Sequence, residues 1–158
     1  MIPSLRKAQI TDINNMIDID IKSYMYPWSL KQWRAVTIDP ACDITVATIK
    51  MEPIAVCIWQ KNSKNEAEIL KLATKPAYRG HAAGTLLLHS VSLAAVKQGL
   101  KRIIIIIPEI NCFPGHPDDV SVWLLERMFT AVKPILKDRF IMYGQPCDGY
   151  KFVLEIGA

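Results

Sequence analysis

Paired cysteines are missing from this chain: Cys42, Cys57, Cys112 and Cys147 stand singly, and no CxxC occurs. His81, His89 and His116 do not fall at zinc-finger or HExxH spacing. No structural zinc site is therefore expected, and the thiols read as the reduced cysteines of a cytoplasmic protein. Nor is there an apolar run approaching the ~20 residues that cross a bilayer. The most apolar stretch, Ile103 to Ile107, reads as a buried strand. Met1 to Lys7 has no long apolar region behind its charges, so no secretory signal is expected. Repeats, low-complexity tracts and Gly/Ser linkers are absent as well. Charge of one sign is scarce: 19 Lys plus Arg against 15 Asp plus Glu leave +4. That excess is too small to argue for nucleic acid, and it suits a small anionic ligand equally well.

What the chain does have is apolar side chain. Hydrophobic residues make up 51% of its 158 positions, enough for the core of one domain spanning the whole length. A domain of this size buries roughly 68–70% of its unfolded surface and needs no disulfide or metal staple.

Leu5 to Ala8 reads as a first strand, and Asp12 as the N-cap of a helix with an apolar stripe at Ile13, Met16, Ile17 and Ile21. Tyr26-Pro27-Trp28-Ser29 breaks that helix, and Ser29 caps a second through Leu30, Trp33 and Val36. Cys42 to Ile49 and Ile54 to Gln60 form a hairpin around Lys50 to Pro53, and a longer strand runs from Glu66 to Thr74. Leu86 to Val96 is apolar almost all round, the mark of a buried helix, and Gly99 ends it. The isoleucine run supplies a central strand. After irregular chain from Pro108 to Pro117, Asp118-Asp119 begins a helix through Val122, Leu125 and Phe129, limited by Pro134. Phe140 to Tyr143 and Tyr150 to Ile156 close the fold as strands around Gly144 to Gly149. The order β-α-α-β-β-β-α-β-α-β-β implies an α/β sandwich on a mixed sheet.

Chemistry concentrates where the Glu66–Thr74 strand turns into the next helix. Gly80 and Gly84 flank small residues there, so backbone can approach a ligand while first-turn N–H groups lack intrahelical partners. Such a helix end suits a pyrophosphate. A Walker A loop is excluded, because three residues rather than four separate the glycines and no Lys precedes Thr85. GxGxxG is absent too. Arg79-Gly80-His81-Ala82-Ala83-Gly84 instead resembles the acyl-CoA loop of the GNAT superfamily of N-acetyltransferases, Q/R-x-x-G-x-G/A, with Ala82 in place of the middle glycine. Leu72 to Gly80 is similar to the strand entering that loop, and Leu5 to Asp12 to the superfamily's first strand and helix start. Tyr26-Pro27-Trp28-Ser29 and Asp148-Gly149-Tyr150 resemble segments of ribosomal-protein N-terminal alanine acetyltransferases.

The resemblance implies a mixed, mostly antiparallel sheet flanked by about four helices, and acetyl-CoA as donor cosubstrate with no metal. It implies pyrophosphate binding by backbone from Arg79, Gly80, His81, Ala82, Ala83, Gly84 and Thr85, and pantetheine along Leu72, Ala73 and Thr74. The acceptor would be a primary amine, on a small molecule or a protein N-terminus, walled by Tyr26 and Trp28. Direct attack in a ternary complex needs the amine neutral, so a base must take its proton. Strand alternation sets Glu66, Glu68, Leu70 and Leu72 on one face and Ala67, Ile69, Lys71 and Ala73 on the other. Glu68 matches the general base of histone-type members, and Glu109, past the isoleucine strand, is a second candidate. Leu125 occupies the position of the superfamily's proton-donating tyrosine. Either the thiolate leaves unaided, or Tyr143 or Tyr150 substitutes, or the protein is an acyl-CoA-binding or protein-interaction module that lost turnover. Expected besides are a cytoplasmic monomer or homodimer, with neither nucleic acid nor membrane as partner.

Overall fold

The computed structural model describes residues 1–112 and 120–157. Its strands are Ser4–Lys7 (β1), Cys42–Ile49 (β2), Glu52–Lys61 (β3), Glu66–Thr74 (β4), Arg102–Pro108 (β5), Thr130–Met142 (β6) and Gln145–Glu155 (β7). Helices over the described residues are Ile13–Ser23 (α1), Leu30–Ile38 (α2), Ala83–Lys97 (α3) and Val120–Glu126 (α4). The seven strands form one mixed sheet in the order β1-β2-β3-β4-β5-β7-β6. Every neighbouring pair is antiparallel except β4 and β5, which α3 connects as a crossover.

Both faces of the sheet carry a core. Ala55, Cys57 and Trp59 of β3 join Leu87 and Val91 of α3 in one cluster, while Val56 and Ile58 join Met16, Ile19 and Trp33 from α1 and α2 in the other. Burial on both sides explains why β3 and β5 read as continuous apolar runs. Two of the three hairpins turn on two residues each, Lys50 and Met51 before β3 and Tyr143 and Gly144 before β7, all four at positive φ. Such turns match the twist of the strands they join.

Two irregularities shape the site. The β4–β5 ladder ends at Ile69 opposite Ile105, although β5 continues along β7 to Pro108 opposite Gly149, so the parallel strands part. On the other side of β4, Ile58 pairs with Lys71 and Trp59 with Ile69, leaving Leu70 as an inserted residue. That bulge corrects the simple alternation. Ala67, Ile69 and Leu72 face the α3 side, whereas Leu70, Lys71 and Ala73 face α1.

Other expectations also change. Asp12 does not cap α1: its carboxylate takes a bidentate pair from Arg6 at 2.7 and 2.9 Å and the Gln9 N–H at 2.7 Å. In α1 the buried stripe runs through Met16, Ile19 and Asp20, and Ile21 points outward. Ser29 does cap α2, in a reciprocal box with Gln32. The helix α3 starts at Ala83 and buries one face only, leaving Leu93 and Val96 about half exposed. The helix read through Phe129 stops at Glu126, and Pro134 lies within β6, which is far longer than Phe140 to Tyr143. Residues 145–149 are strand rather than turn. Gly149 is forced there by close packing, since a Cβ would lie 2.9 Å from Ile106 Cγ2. The expected helix start at Asp118-Asp119 lies outside the described residues.

Candidate active site

At the C-terminal end of β4 the chain passes through a single turn at Pro76–Tyr78, reaches Gly80 at φ +86°, and enters α3 from Ala82 at φ +64°. The first helical bond runs from Leu86 N–H to Ala82 O at 2.9 Å. The amides of Ala83, Gly84 and Thr85 therefore point out of the helix end, where the dipole is positive. A cavity of about 510 Å³ opens on this end. Leu72, Ala73 and Thr74 line it from β4, Arg79, Gly80 and Ala82 from the loop, and Ala83, Gly84 and Thr85 from α3; His81 does not.

The opposite wall is α4, which sequence reasoning did not place here. Trp123 packs so closely that a Cβ on Gly84 would stand 3.2 Å from its Cζ2. The Arg127 guanidinium lies 3.9 Å from the Trp123 ring centre and donates from Nε to Thr85 Oγ1 at 3.2 Å. Arg79 donates to the Ser23 carbonyl at 3.4 Å. Guanidinium groups thus stand at both ends of the loop. The closeness of Trp123 also gives Gly84 a packing reason independent of any ligand.

The left-handed conformation at Ala82 falls where the superfamily pattern has glycine. An L-residue there costs roughly 1–2 kcal/mol, partly offset by the greater unfolded-state freedom of glycine. Ala82→Gly is therefore expected to raise stability by up to about 1 kcal/mol in urea unfolding. A lower midpoint would count against strain at this position.

Tyr24 marks the inner end of the cavity. Its hydroxyl donates to Leu72 O at 2.5 Å, and Ser23 Oγ donates to Thr74 O at 2.9 Å, so two carbonyls of the β4 edge are held by the end of α1. Burial and the Asp20 charge push the Tyr24 hydroxyl well above its usual range. Tyr24, Leu72 and Val120 also line a second cavity of about 90 Å³, so the two cavities share a wall. Tyr26 and Trp28 line that second cavity. Tyr143, at the tip of the β6–β7 hairpin, sets its ring edge-on to Tyr26 at 5.6 Å and donates to Pro27 O at 3.3 Å.

Beneath Trp28 lies a buried ion pair. Lys71 Nζ donates to Asp20 Oδ1 at 2.8 Å, and Oδ2 accepts the Trp28 N–H at 2.9 Å and the Trp33 Nε1–H at 3.0 Å. The ammonium also faces the Trp28 and Tyr24 rings, 4.5 and 4.9 Å from their centres. Burial pulls the Lys71 pKa below its ordinary value, with Asp20 opposing the shift. The signal in the sequence was a lysine inside an apolar strand and an aspartate beside the apolar stripe of α1.

The two candidate carboxylates stand elsewhere. Glu68 is buried on β4, with Arg139 Nη2 at 3.8 Å, and lines neither cavity. Burial raises its pKa, against the opposing charge of Arg139. Glu109 is exposed after β5, accepts from the Tyr150 hydroxyl at 3.4 Å and lines neither cavity. Leu125 is half exposed on α4. Tyr143 and Tyr150, the two tyrosines expected as substitute proton donors, line neither cavity; Tyr24, which sequence reasoning did not single out as a donor, lines both. Among the described residues no cluster of His, Cys, Asp and Glu could hold a metal ion, and no helix is long and apolar enough to cross a membrane.

A mixed sheet parted at its parallel pair, with an anion-ready helix end in the opening, defines the class of acyl-CoA N-acyltransferase folds. The chain belongs to the acetyltransferase (GNAT) family, whose sequence model matches residues 13–112. Solved structures share the fold at low identity. The ribosomal-protein-S18-alanine N-acetyltransferase from Escherichia coli is 18% identical with TM-score 0.78, over 99% of this chain and 96% of that one. Ard1 from Thermoplasma volcanium is 15% identical with TM-score 0.81, over 100% of both chains. Arabidopsis thaliana NAA60, solved with a bisubstrate analogue, is 15% identical with TM-score 0.78, over 98% of this chain and 99% of that one. No curated protein sequence matches the chain.

Proposed function

We propose that the chain is a single acetyl-CoA-dependent N-acetyltransferase domain acting on a primary amine, a protein or peptide N-terminus or a small molecule. The observation that carries this reading is the junction of the two cavities at Tyr24 and Leu72. One cavity offers unpartnered helix-end amides to a pyrophosphate, and the other meets it where an acyl group would arrive. Acetyl-CoA supplies an activated acyl group to the acceptor. The chain's residues hold the diphosphate on the amides of Ala83 to Thr85, set the pantetheine along β4 and wall the acceptor with Tyr26 and Trp28. The solved NAA60 complex with acetyl-CoA, 15% identical and of the same fold, supports the choice of donor.

Glu68 takes the amine proton through water, since it lines neither cavity directly. Its raised pKa makes it a better base than an ordinary carboxylate, and only the ionised form can act. The rate should therefore fall as pH drops through a value above the usual carboxylate range. Glu68→Gln is expected to lower turnover about 10²-fold or more, erase that acid limb and leave acetyl-CoA affinity unchanged. A full-rate variant removes Glu68 and leaves Glu109 to be tested in the same way.

The competing reading, an acyl-CoA-binding or protein-interaction module without turnover, draws on Leu125 and on the distance of both carboxylates from the cavity walls. Calorimetry with acetyl-CoA, followed by thiol release over a panel of amines and peptides, separates the two. Binding without release on any acceptor supports the module, and absence of binding sinks both.

A further inference from the structure

Among the described residues, three line both cavities: Tyr24, Leu72 and Val120. Of these, only Tyr24 carries a side-chain O–H, and the strand it touches fixes where that group stands. Lys75 N–H donates to Ile54 O at 2.9 Å, in the same register as Ala73 opposite Val56. Backbone groups along an antiparallel strand point alternately to either side, so those of Leu72 and Thr74 turn away from β3. On that side the ladder with β5 has already ended, at Ile69. The Leu72 carbonyl therefore faces the parting between β4 and β5, and the Tyr24 hydroxyl that donates to it at 2.5 Å stands in the same opening. The residue is half-buried, with its O–H at the shared wall rather than in the core.

A phenol has one proton to offer, and here it goes to a neutral carbonyl. An anion beside the hydroxyl would draw that proton to itself, because bonds to an ionised acceptor are roughly twice as strong. Thioester sulfur is uncharged and accepts poorly, whereas the thiolate it becomes is an anion. The gain therefore falls on the transition state rather than on the bound donor. Burial and the Asp20 charge hold the hydroxyl in its protonated form, so the bond can be offered across the working pH range. The other titratable groups around it are Lys71, 4.9 Å from its ring centre, Arg79 of the loop and Cys112.

Resting on the acetyl-transfer reading, we infer that Tyr24 is a catalytic residue, whose hydroxyl turns from Leu72 O to the sulfur of coenzyme A and stabilises the thiolate as it leaves. The amine nitrogen bonds to the acetyl carbon, its proton passes through water to Glu68, and the C–S bond breaks with its electron pair on sulfur. Tyr24 keeps its own proton throughout. Glu68 returns the amine proton to solvent, from which the released thiolate takes one. The role that Leu125 cannot fill is thus met from the end of α1, by a hydrogen bond rather than by proton transfer.

Two measurements on the full chain test this. In thiol release, Tyr24→Phe should lower kcat about 10²-fold, while acetyl-CoA affinity in calorimetry holds. The second measurement needs no acceptor. The thiol of bound CoA is titrated through the ultraviolet absorbance of its thiolate, referenced at each pH to the same protein with desulpho-CoA, which cancels the chain's own cysteines and tyrosines. A hydrogen bond to the thiolate should make the bound thiol ionise about one pH unit lower in the parent than in Tyr24→Phe. Asp20, Lys71, Arg79 and Cys112 are common to both proteins, so the difference isolates the hydroxyl. Ser23→Ala is the structural control: it frees Thr74 O from α1 as Tyr24→Phe frees Leu72 O, and its bound thiol should titrate as in the parent. An unchanged kcat, an equal thiol pKa in parent and Tyr24→Phe, or a shift of the same size in Ser23→Ala overturns the inference. If no amine or peptide releases thiol and the parent still shows the lowered thiol pKa, the Tyr24 contact stands and the transfer reading falls. Failure of CoA to bind removes both.

Discussion

Gly84→Glu should abolish detectable acetyl-CoA binding, because it sets a carboxylate on the helix end that would receive the diphosphate. Two unit charges about 4 Å apart repel by roughly 4 kcal/mol at an effective dielectric of 20, enough for a loss of about a thousandfold. The variant has a second consequence, since any Cβ at this position crowds Trp123 at 3.2 Å. Lost binding could then reflect displaced packing. Thr85→Glu removes that ambiguity: Thr85 is exposed in the first turn of α3, where a negative side chain stabilises the helix by about 0.3–1 kcal/mol. Arg127, which now donates to Thr85 Oγ1, would gain an anionic partner. Thr85→Glu should thus melt no lower than the parent and still lose acetyl-CoA in calorimetry. Retained affinity in a folded Thr85→Glu chain would remove the helix end as the anion site.

The opposite signs of those two effects show what was legible in the sequence. Gly80, Gly84 and the small residues between them announce a helix end open to an anion, and β4 runs from Glu66 to Thr74 as its composition indicates. Local signals also set Ser29 at the head of α2. What escaped reading depends on partners in other elements. Asp12 looks like a cap until Arg6 of β1, six residues earlier, takes its carboxylate. Pro134 looks like a helix stop, yet β6 pairs with β7 on both sides of it, through Val132 and Leu136. The bulge at Leu70 has no mark of its own, and without it Lys71 would face α3 rather than Asp20. Trp123 and Arg127 went unremarked because nothing in their neighbourhood names the α3 terminus they cover.

Lys71→Met should be among the most destabilising single changes in the chain. It leaves the Asp20 carboxylate fully buried with two N–H donors and no counter-charge, a situation that costs about 3–5 kcal/mol. At roughly 2–4 °C per kcal/mol for a protein of this size, the melting point should fall by about 6–20 °C. The remedy follows from which oxygen does what. Both tryptophan bonds end on Asp20 Oδ2 and the lysine bond on Oδ1. In Asp20→Asn the new side chain can therefore keep its oxygen toward Trp28 and Trp33 and turn its amide toward position 71. A glutamine there accepts from it. Asp20→Asn combined with Lys71→Gln should recover most of the loss, and the coupling between the two sites should be about 2 kcal/mol or more in a double-mutant cycle. Additive effects, or a Lys71→Met chain melting with the parent, would mean that the pair does not hold Trp28 and β4 together. If the double variant is stable, it also separates two jobs of one lysine: the fold stays, the cation lining the smaller cavity goes, and acetyl-CoA affinity should not change.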